Sequence, residues 1–231
     1  MEAAVKLIKA DMTNCYLIAS AGGSILVDTG TYRLWWRRFL REARMAAAGD
    51  PARGLKAIFI THGHFDHIGS AARLSSEAGC GILMHKDDYS LLRDGHKVDA
   101  KPEGTWARAI MACSPLMLAP HSNEGLTVGS PFGDDGLDLH GIGLPARIIH
   151  APGHTMGSSV LVLDDGRAFV GDMAMSGFPS LSARPALPII VQDQDLNRRS
   201  WRRLLACCDA HTFCPGHGRS FSRNEALEMI G

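Results

Sequence analysis

The chain has 231 residues, 45% hydrophobic and 21% charged, enough to bury a sizeable core in one large or two small domains. Lys plus Arg equals Asp plus Glu at 24 each, so the formal net charge is zero, which argues against nucleic acid or an anionic membrane as the main partner. A local basic patch stays open at Lys6, Lys9 or the group Arg198, Arg199, Arg202 and Arg203, the last reading first as a solvated helix face.

The first residues carry no apolar run behind a basic start, and no stretch approaches the ~20 apolar residues that span a bilayer. The expected compartment is the cytoplasm, with no membrane partner. Six cysteines without a CxxC pair read as reduced, mostly buried thiols. Apolar runs at 4–8, 15–19 and 24–27 predict three strands, with Gly22-Gly23 turning between the last two. Residues 34–48 have helical spacing and stop at Gly49. A short apolar strand at 56–60 runs into a His-rich segment, followed by a helix at 70–78 and a strand at 82–84. Residues 91–124 mix Gly, Pro, charge and a short apolar stretch, and read as a lid insertion with one or two short helices. Strands follow at 146–150, 159–163 and 167–170, the last two flanking the hairpin signal Asp164-Asp165-Gly166. A Pro- and Gly-rich loop covers 176–193, then a helix 196–208, a strand 212–214 and a helix 223–229. Two halves of strands followed by helices suggest sheets inside and helices outside.

The chemistry concentrates in His62-Gly63-His64-Phe65-Asp66-His67. Imidazoles at i and i+2 can turn to one side if the loop curls, leaving the next carboxylate and imidazole for a second position. Such N and O donors suit Zn, Fe, Mn or Co. Packed together without a cation they would be crowded and poorly solvated.

The run Thr61 to Gly69 resembles the signature of the metallo-β-lactamase superfamily. His154 in Pro152-Gly153-His154-Thr155-Met156-Gly157, Asp172 in Phe169-Val170-Gly171-Asp172, and His217 in Pro215-Gly216-His217-Gly218 follow in the family's order. Val27-Asp28-Thr29-Gly30 and Asn14 to Ile18 also resemble its opening strands. The resemblance implies an α/β fold, the four-layer αββα sandwich, built as one domain over residues 1–231. It implies that His62, His64 and His154 hold one divalent cation, that Asp66, His67 and His217 hold a second, and that Asp172 bridges them. Zinc is the first expectation, with manganese or iron as alternatives. Two cations about 3.5–4 Å apart would let a bridging hydroxide attack near neutral pH. Asp66 is the expected catalytic residue, orienting the nucleophile or accepting its proton.

Asp28 has two readings, a partner behind a ligand imidazole or a plain turn residue. His85 reads first as the cap of the next helix, and His150 as structural. His96, His121, His140 and His211 belong to no constellation and read as surface residues. Cys214 reads first as a packed thiol, with the pocket floor as its alternative. Arg184 either meets an anionic group of the substrate or is simply exposed. Trp106, Met111, Met117, Met173, Met175, Phe178 and Leu181 suggest an apolar acyl or ring-bearing substrate.

Within the family, an Asp at 172 argues against antibiotic cleavage, and the His at 64 against the flavodiiron oxidoreductases. The glyoxalase II-like thioesterases carry a helical C-terminal domain with no counterpart after His217, and the lactonases a tyrosine with none in the loop after Asp172. The expected function is a binuclear hydrolase cleaving an ester, thioester or lactone of a small metabolite. The alternatives are a mononuclear iron oxidoreductase of the persulfide dioxygenase kind and a metal-binding sensor without turnover.

Overall fold

The computed structural model describes residues 3–31, 35–48, 54–94, 96, 98–99, 101–113, 131–177 and 180–231. Strands β1 (Ala4–Ala10), β2 (Thr13–Ser20), β3 (Gly23–Val27), β4 (Leu55–Phe59) and β5 (Gly81–Leu83) form one sheet in that order. Helices α1 (Trp36–Ala47), α2 (Phe65–Ile68), α3 (Ala71–Ala78) and α4 (Lys86–Arg93) interleave with it. Then come β6 (Lys101–Pro102), α5 (Gly104–Cys113), β7 (Leu137–Asp138), β8 (Ala146–His150), β9 (Ser159–Leu163) and β10 (Arg167–Gly171). The chain ends with β11 (Met175–Gly177), β12 (Ser182–Ala186), β13 (Ile190–Val191), α6 (Gln194–Cys207), β14 (Thr212–Pro215), β15 (Phe221–Ser222) and α7 (Arg223–Ile230). The second sheet runs β15-β14-β10-β9-β8-β7.

Three apolar clusters define four layers. Ile18, Ile25, Phe59, Ile148, Leu161 and Phe169 fill the space between the two sheets. The outer face of the first sheet packs Leu17, Leu26 and Ile58 against Phe39 and Leu40 of α1 and Leu74 of α3. The outer face of the second packs Val160, Val162 and Phe213 against Trp201 and Leu204 of α6 and Ile230 of α7. The result is the expected αββα sandwich. Strands buried on both faces explain the unbroken apolar runs of β3 and β9. Two caps fix the outer helices: the Asp193 side chain accepts from Leu196 N at 2.8 Å, and Ser222 with Glu225 forms a capping box.

Strand direction places the site. In the first sheet β4 is parallel to β3 and β5. In the second, β8 and β10 are both antiparallel to β9, and β10 is parallel to β14. The segments holding His62–His67, His154, Asp172 and His217 follow β4, β8, β10 and β14, so all leave strands by their C-terminal ends.

One reading changes. The segment 176–193 is not an open loop: β11 and β12 pair as a ribbon and β13 pairs with β6. Pro185 is tolerated because a two-stranded ribbon leaves edge positions that need no N–H. The lid reading covers the end of α4 and all of α5, while residues 114–124 lie outside the described residues. No described helix is long and apolar enough to cross a membrane.

Candidate metal centre

The His-rich segment leaves β4 extended and then turns. His64 has φ −73° and ψ 151°, and α2 starts at once, with His67 N donating to His64 O at 3.0 Å. His62 and His64 therefore project from extended backbone, and Asp66 and His67 from a helical turn. This splits one hexapeptide between two positions.

At the first, His62 Nε2, His64 Nδ1 and His154 Nε2 lie 3.1 Å from one another. Three nitrogens in one triangle cannot all be linked by hydrogen bonds, because each ring nitrogen either donates or accepts and two of the three must share a role. Zinc bonds of about 2.0–2.1 Å to tetrahedral ligands put neighbouring nitrogens roughly 3.3 Å apart, so the triangle fits a cation. At the second, His217 Nε2 lies 3.1 Å from Asp66 Oδ2, and His67 Nε2 lies 3.7 Å from the same oxygen. Asp172 faces both groups: Oδ1 is 3.6 Å from His67 Nε2, and Oδ2 is 3.4 Å from His217 Nε2 and 3.8 Å from His154 Nε2. His67 Nε2 and Asp172 Oδ1 are buried without a hydrogen-bond partner, as donors waiting for a cation would be. Each of the sets His62/His64/His154, His62/His67/Asp172 and Asp66/His67/His217 could hold a metal ion.

The remote nitrogens show why the lone pairs point inward. His62 Nδ1–H donates to Thr61 Oγ1 at 3.0 Å, and the Thr61 hydroxyl donates to Asp28 Oδ2 at 2.9 Å. His67 Nδ1–H donates to the same Asp28 oxygen at 2.8 Å. His217 Nδ1–H donates to Met12 O at 3.0 Å. Each bond fixes the ring's orientation and turns Nε2 inward, where it can ligate once any proton it carries has left. Asp28, with φ +58°, thus stands behind the imidazoles of His67 and, through Thr61, of His62, and is not a plain turn residue. Thr61 was not singled out in the sequence; only its place behind His62 in the fold reveals it.

The electrostatics differ between the two groups. Burial pushes His62 well below the ordinary imidazole value and His154 down to about 3, and burial also lowers His64. Burial opposes charge on His67 and His217 too, but there carboxylates win. Asp28, Asp66 and Asp172 raise His67 well above its ordinary value, and Asp172 with Asp66 raises His217 to about 10. The same contacts hold Asp66 and Asp172 low against the opposing effect of burial.

Neighbouring backbone carries the loops. Trp201 Nε1 and Asn197 Nδ2 both donate to Met173 O, at 2.9 and 3.0 Å, and so anchor the turn after Asp172. Asn14 Nδ2 donates to Pro215 O and Gly218 O on either side of His217. Gly216 must lack a side chain: a Cβ there would lie 2.4 Å from Asp172 Oδ1 and 2.7 Å from His67 Cε1.

Other residues fall away from the centre. Met173 is buried in the outer core and Met175 is equally buried, so neither is a pocket wall; the packing of α6 claims Met173. Cys214 is packed between the sheets, and Arg184 is exposed on β12. His85 accepts from Asp87 N at the start of α4 and stacks on His150 at 3.9 Å. Trp106 and Leu181 are exposed, Met111 is half-buried, and Met117, His121 and Phe178 lie outside the described residues. Lys6 pairs with Glu42, and Arg199 and Arg202 are exposed on α6.

Comparison with known proteins gives a consistent picture. A family model described as the metallo-beta-lactamase superfamily matches residues 8–217. The uncharacterized protein Rv2581c of Mycobacterium tuberculosis is 30% identical over 224 residues, covering 90% of this chain and 86% of that one. A hydroxyacylglutathione hydrolase of Anaeromyxobacter dehalogenans is 32% identical over 115 residues, 50% of this chain and 39% of its own length. The solved structure of TTHA1623 in a di-iron-bound form superposes with a TM-score of 0.62 at 22% identity, covering 98% of both chains.

Proposed function

The chain belongs to the metallo-beta-lactamase superfamily, and from that membership and the geometry of the centre we propose that it is a binuclear metal-dependent hydrolase. The bond cleaved is an ester, thioester or lactone of a small metabolite. His62, His64 and His154 would hold one divalent cation and Asp66, His67 and His217 the other, with the Asp172 carboxylate facing both sets. Zinc suits this donor set, as do iron and manganese. Such a cation pair supplies Lewis acidity and brings the ionisation of water toward neutral pH.

The observation that carries the reading is the position of Asp172. One carboxylate faces both groups at 3.4–3.8 Å and so joins two separate three-residue sets into one centre. The chain's own residues do the rest. The hydrogen bonds from His62 to Thr61 and from His67 to Asp28 keep Nε2 of both imidazoles turned inward. Asp66 is the carboxylate that water reaches: its side chain is 17% exposed against 7% for Asp172, and it is held anionic. It accepts a hydrogen bond from the attacking water and steers a lone pair toward the carbonyl carbon. Met12, whose carbonyl receives the His217 N–H, and Met156, two residues beyond His154, are exposed large apolar side chains next to ligand segments. They supply the apolar contact for an acyl group, in place of the buried Met173 and Met175. The relative named a hydroxyacylglutathione hydrolase supports the thioester among the three bond types.

The test is a metal count with element identity on purified protein, joined to turnover of an ester, thioester, lactone and phosphodiester panel. Two equivalents of metal with turnover of the acyl substrates is the expected result. One equivalent of iron with oxygen consumption would replace the hydrolase by an oxygenase, and two metals without turnover on any member would leave a sensor.

A further inference from the structure

His62, His67 and His217 are each oriented by a hydrogen bond at the nitrogen remote from the centre. The other two imidazoles are not. His154 Nδ1 is buried without a hydrogen-bond partner, and among the described residues no hydrogen bond reaches His64 Nε2. Their orientation must come from the backbone that carries them. Both backbones converge on one carboxylate. Asp88, on the first turn of α4 and fully buried, accepts from Gly63 N at 2.8 Å with Oδ2. The same oxygen accepts the Thr155 hydroxyl at 2.7 Å, and Oδ1 accepts Gly157 N at 2.8 Å. Gly63 precedes His64, and Thr155 follows His154. The approach is so close that a Cβ on Gly157 would lie 2.6 Å from Asp88 Cγ.

We propose that Asp88 is the positioning residue of the three-histidine group, a carboxylate clasp that joins the His64 and His154 segments and replaces the remote hydrogen bonds those imidazoles lack. The proposal rests on the reading of His62, His64 and His154 as a metal-holding set. A purely structural carboxylate would affect the fold as a whole. A clasp acts on one metal position and leaves the other alone, because Asp66, His67 and His217 are held through Asp28 and Met12 instead.

The experiment is a Co(II) titration of metal-free protein, read by calorimetry and by the visible spectrum of the bound ion. His217→Ala and His154→Ala backgrounds isolate the two positions, and melting of each metal-free variant checks the fold. Asp88→Asn is expected to weaken Co(II) at the three-histidine position about 10–100-fold and to alter its spectrum, as for other partners behind metal ligands. At the other position the affinity stays within about threefold, below the effect of one neutral hydrogen bond. Thr155→Val, which removes one bond to the clasp and keeps the side-chain shape, gives a loss of about fivefold at the same position. Equal weakening at both positions, or none in folded Asp88→Asn, overturns the proposal. If Asp88→Asn fails to fold, unchanged affinity in Thr155→Val overturns it alone. Wild-type protein that takes up no Co(II) sinks the metal-centre reading itself, whereas wild type binding two equivalents with unaffected variants removes only the role of Asp88.

Discussion

The group His62, His64 and His154 contains no carboxylate, while Asp66, His67 and His217 mix imidazoles with anions and share Asp172. The imidazoles of the first are held neutral by burial, and those of the second are held charged by their carboxylates. The two poles adjoin within one centre, with the His62 and His67 rings 4.0 Å apart. The first presents lone pairs at neutral pH. The second presents imidazolium groups whose protons must leave before a metal can enter. Desolvation dominates where only imidazoles meet, and charge pairing dominates where carboxylates join them.

The largest test of this contrast is to remove one pole. His62→Ala breaks the triangle, and several kcal/mol of lost Lewis-acid stabilisation corresponds to a fall in turnover of about 10³-fold or more. Metal content drops from two equivalents toward one. Hydrolysis at the wild-type rate would remove the mechanism.

Next in size is the pH dependence of metal uptake. Groups with raised values are protonated at neutral pH, so binding at the Asp66/His67/His217 pole displaces protons, and its apparent affinity falls about tenfold for each displaced proton per unit fall in pH. The three-histidine pole, already neutral, stays flat over the same range. Calorimetry in buffers of different ionisation enthalpy reads the protons released, and equal release at both poles would break the comparison.

Asp28→Asn sharpens it further. Asp28 receives His67 directly and His62 through Thr61, so this one variant reaches both poles. Asn tolerates the left-handed backbone but turns one acceptor into a donor. The expected loss of metal affinity is about tenfold at the His67 pole and smaller at the His62 pole. A loss confined to the His62 pole would contradict the direct bond.

The smallest effect is on the metal-free fold. His62 and His154 have lowered values, so the unfolded chain binds more protons below its ordinary imidazole range near ~6.5, and stability falls as pH drops through that range. His67 and His217 have raised values: their contribution is complete below ~6.5 and is lost as pH rises, for His217 through about 10. Melting of the metal-free protein should therefore peak near neutral pH, with about 2–4 °C for each kcal/mol changed. A melting temperature that rose steadily to pH ~10 would show that the carboxylate pole does not hold its imidazoles charged.

Much of this centre is legible in the chain itself. His62, His64, Asp66 and His67 lie within six residues, so their proximity is nearly covalent and needs no tertiary information. Two of the strands before ligand segments, β4 and β10, announce themselves by apolar runs at their ends, where both faces are buried, while β8 before His154 alternates. Those runs, and the turns that follow them, suggest sheets inside and helices outside, with ligands at strand ends; the αββα sandwich itself is what the resemblance to the superfamily implies.

Other features depend on partners far away in sequence. Asp88 meets Gly157 across 69 residues, and Asp28 meets His67 across 39. Nothing in the local pattern of a helix start or a turn distinguishes a clasp from a solvated acid. Met173 reads like a pocket residue until α6 packs against it, and 176–193 reads like a loop until β11 finds β12. The sequence determines which groups are available and which segments are strand or helix, because both depend on near neighbours. The tertiary structure decides which remote nitrogen is held, which carboxylate is shared, and which imidazoles carry charge. Those outcomes depend on burial and on distances that exist only once the sheets have closed.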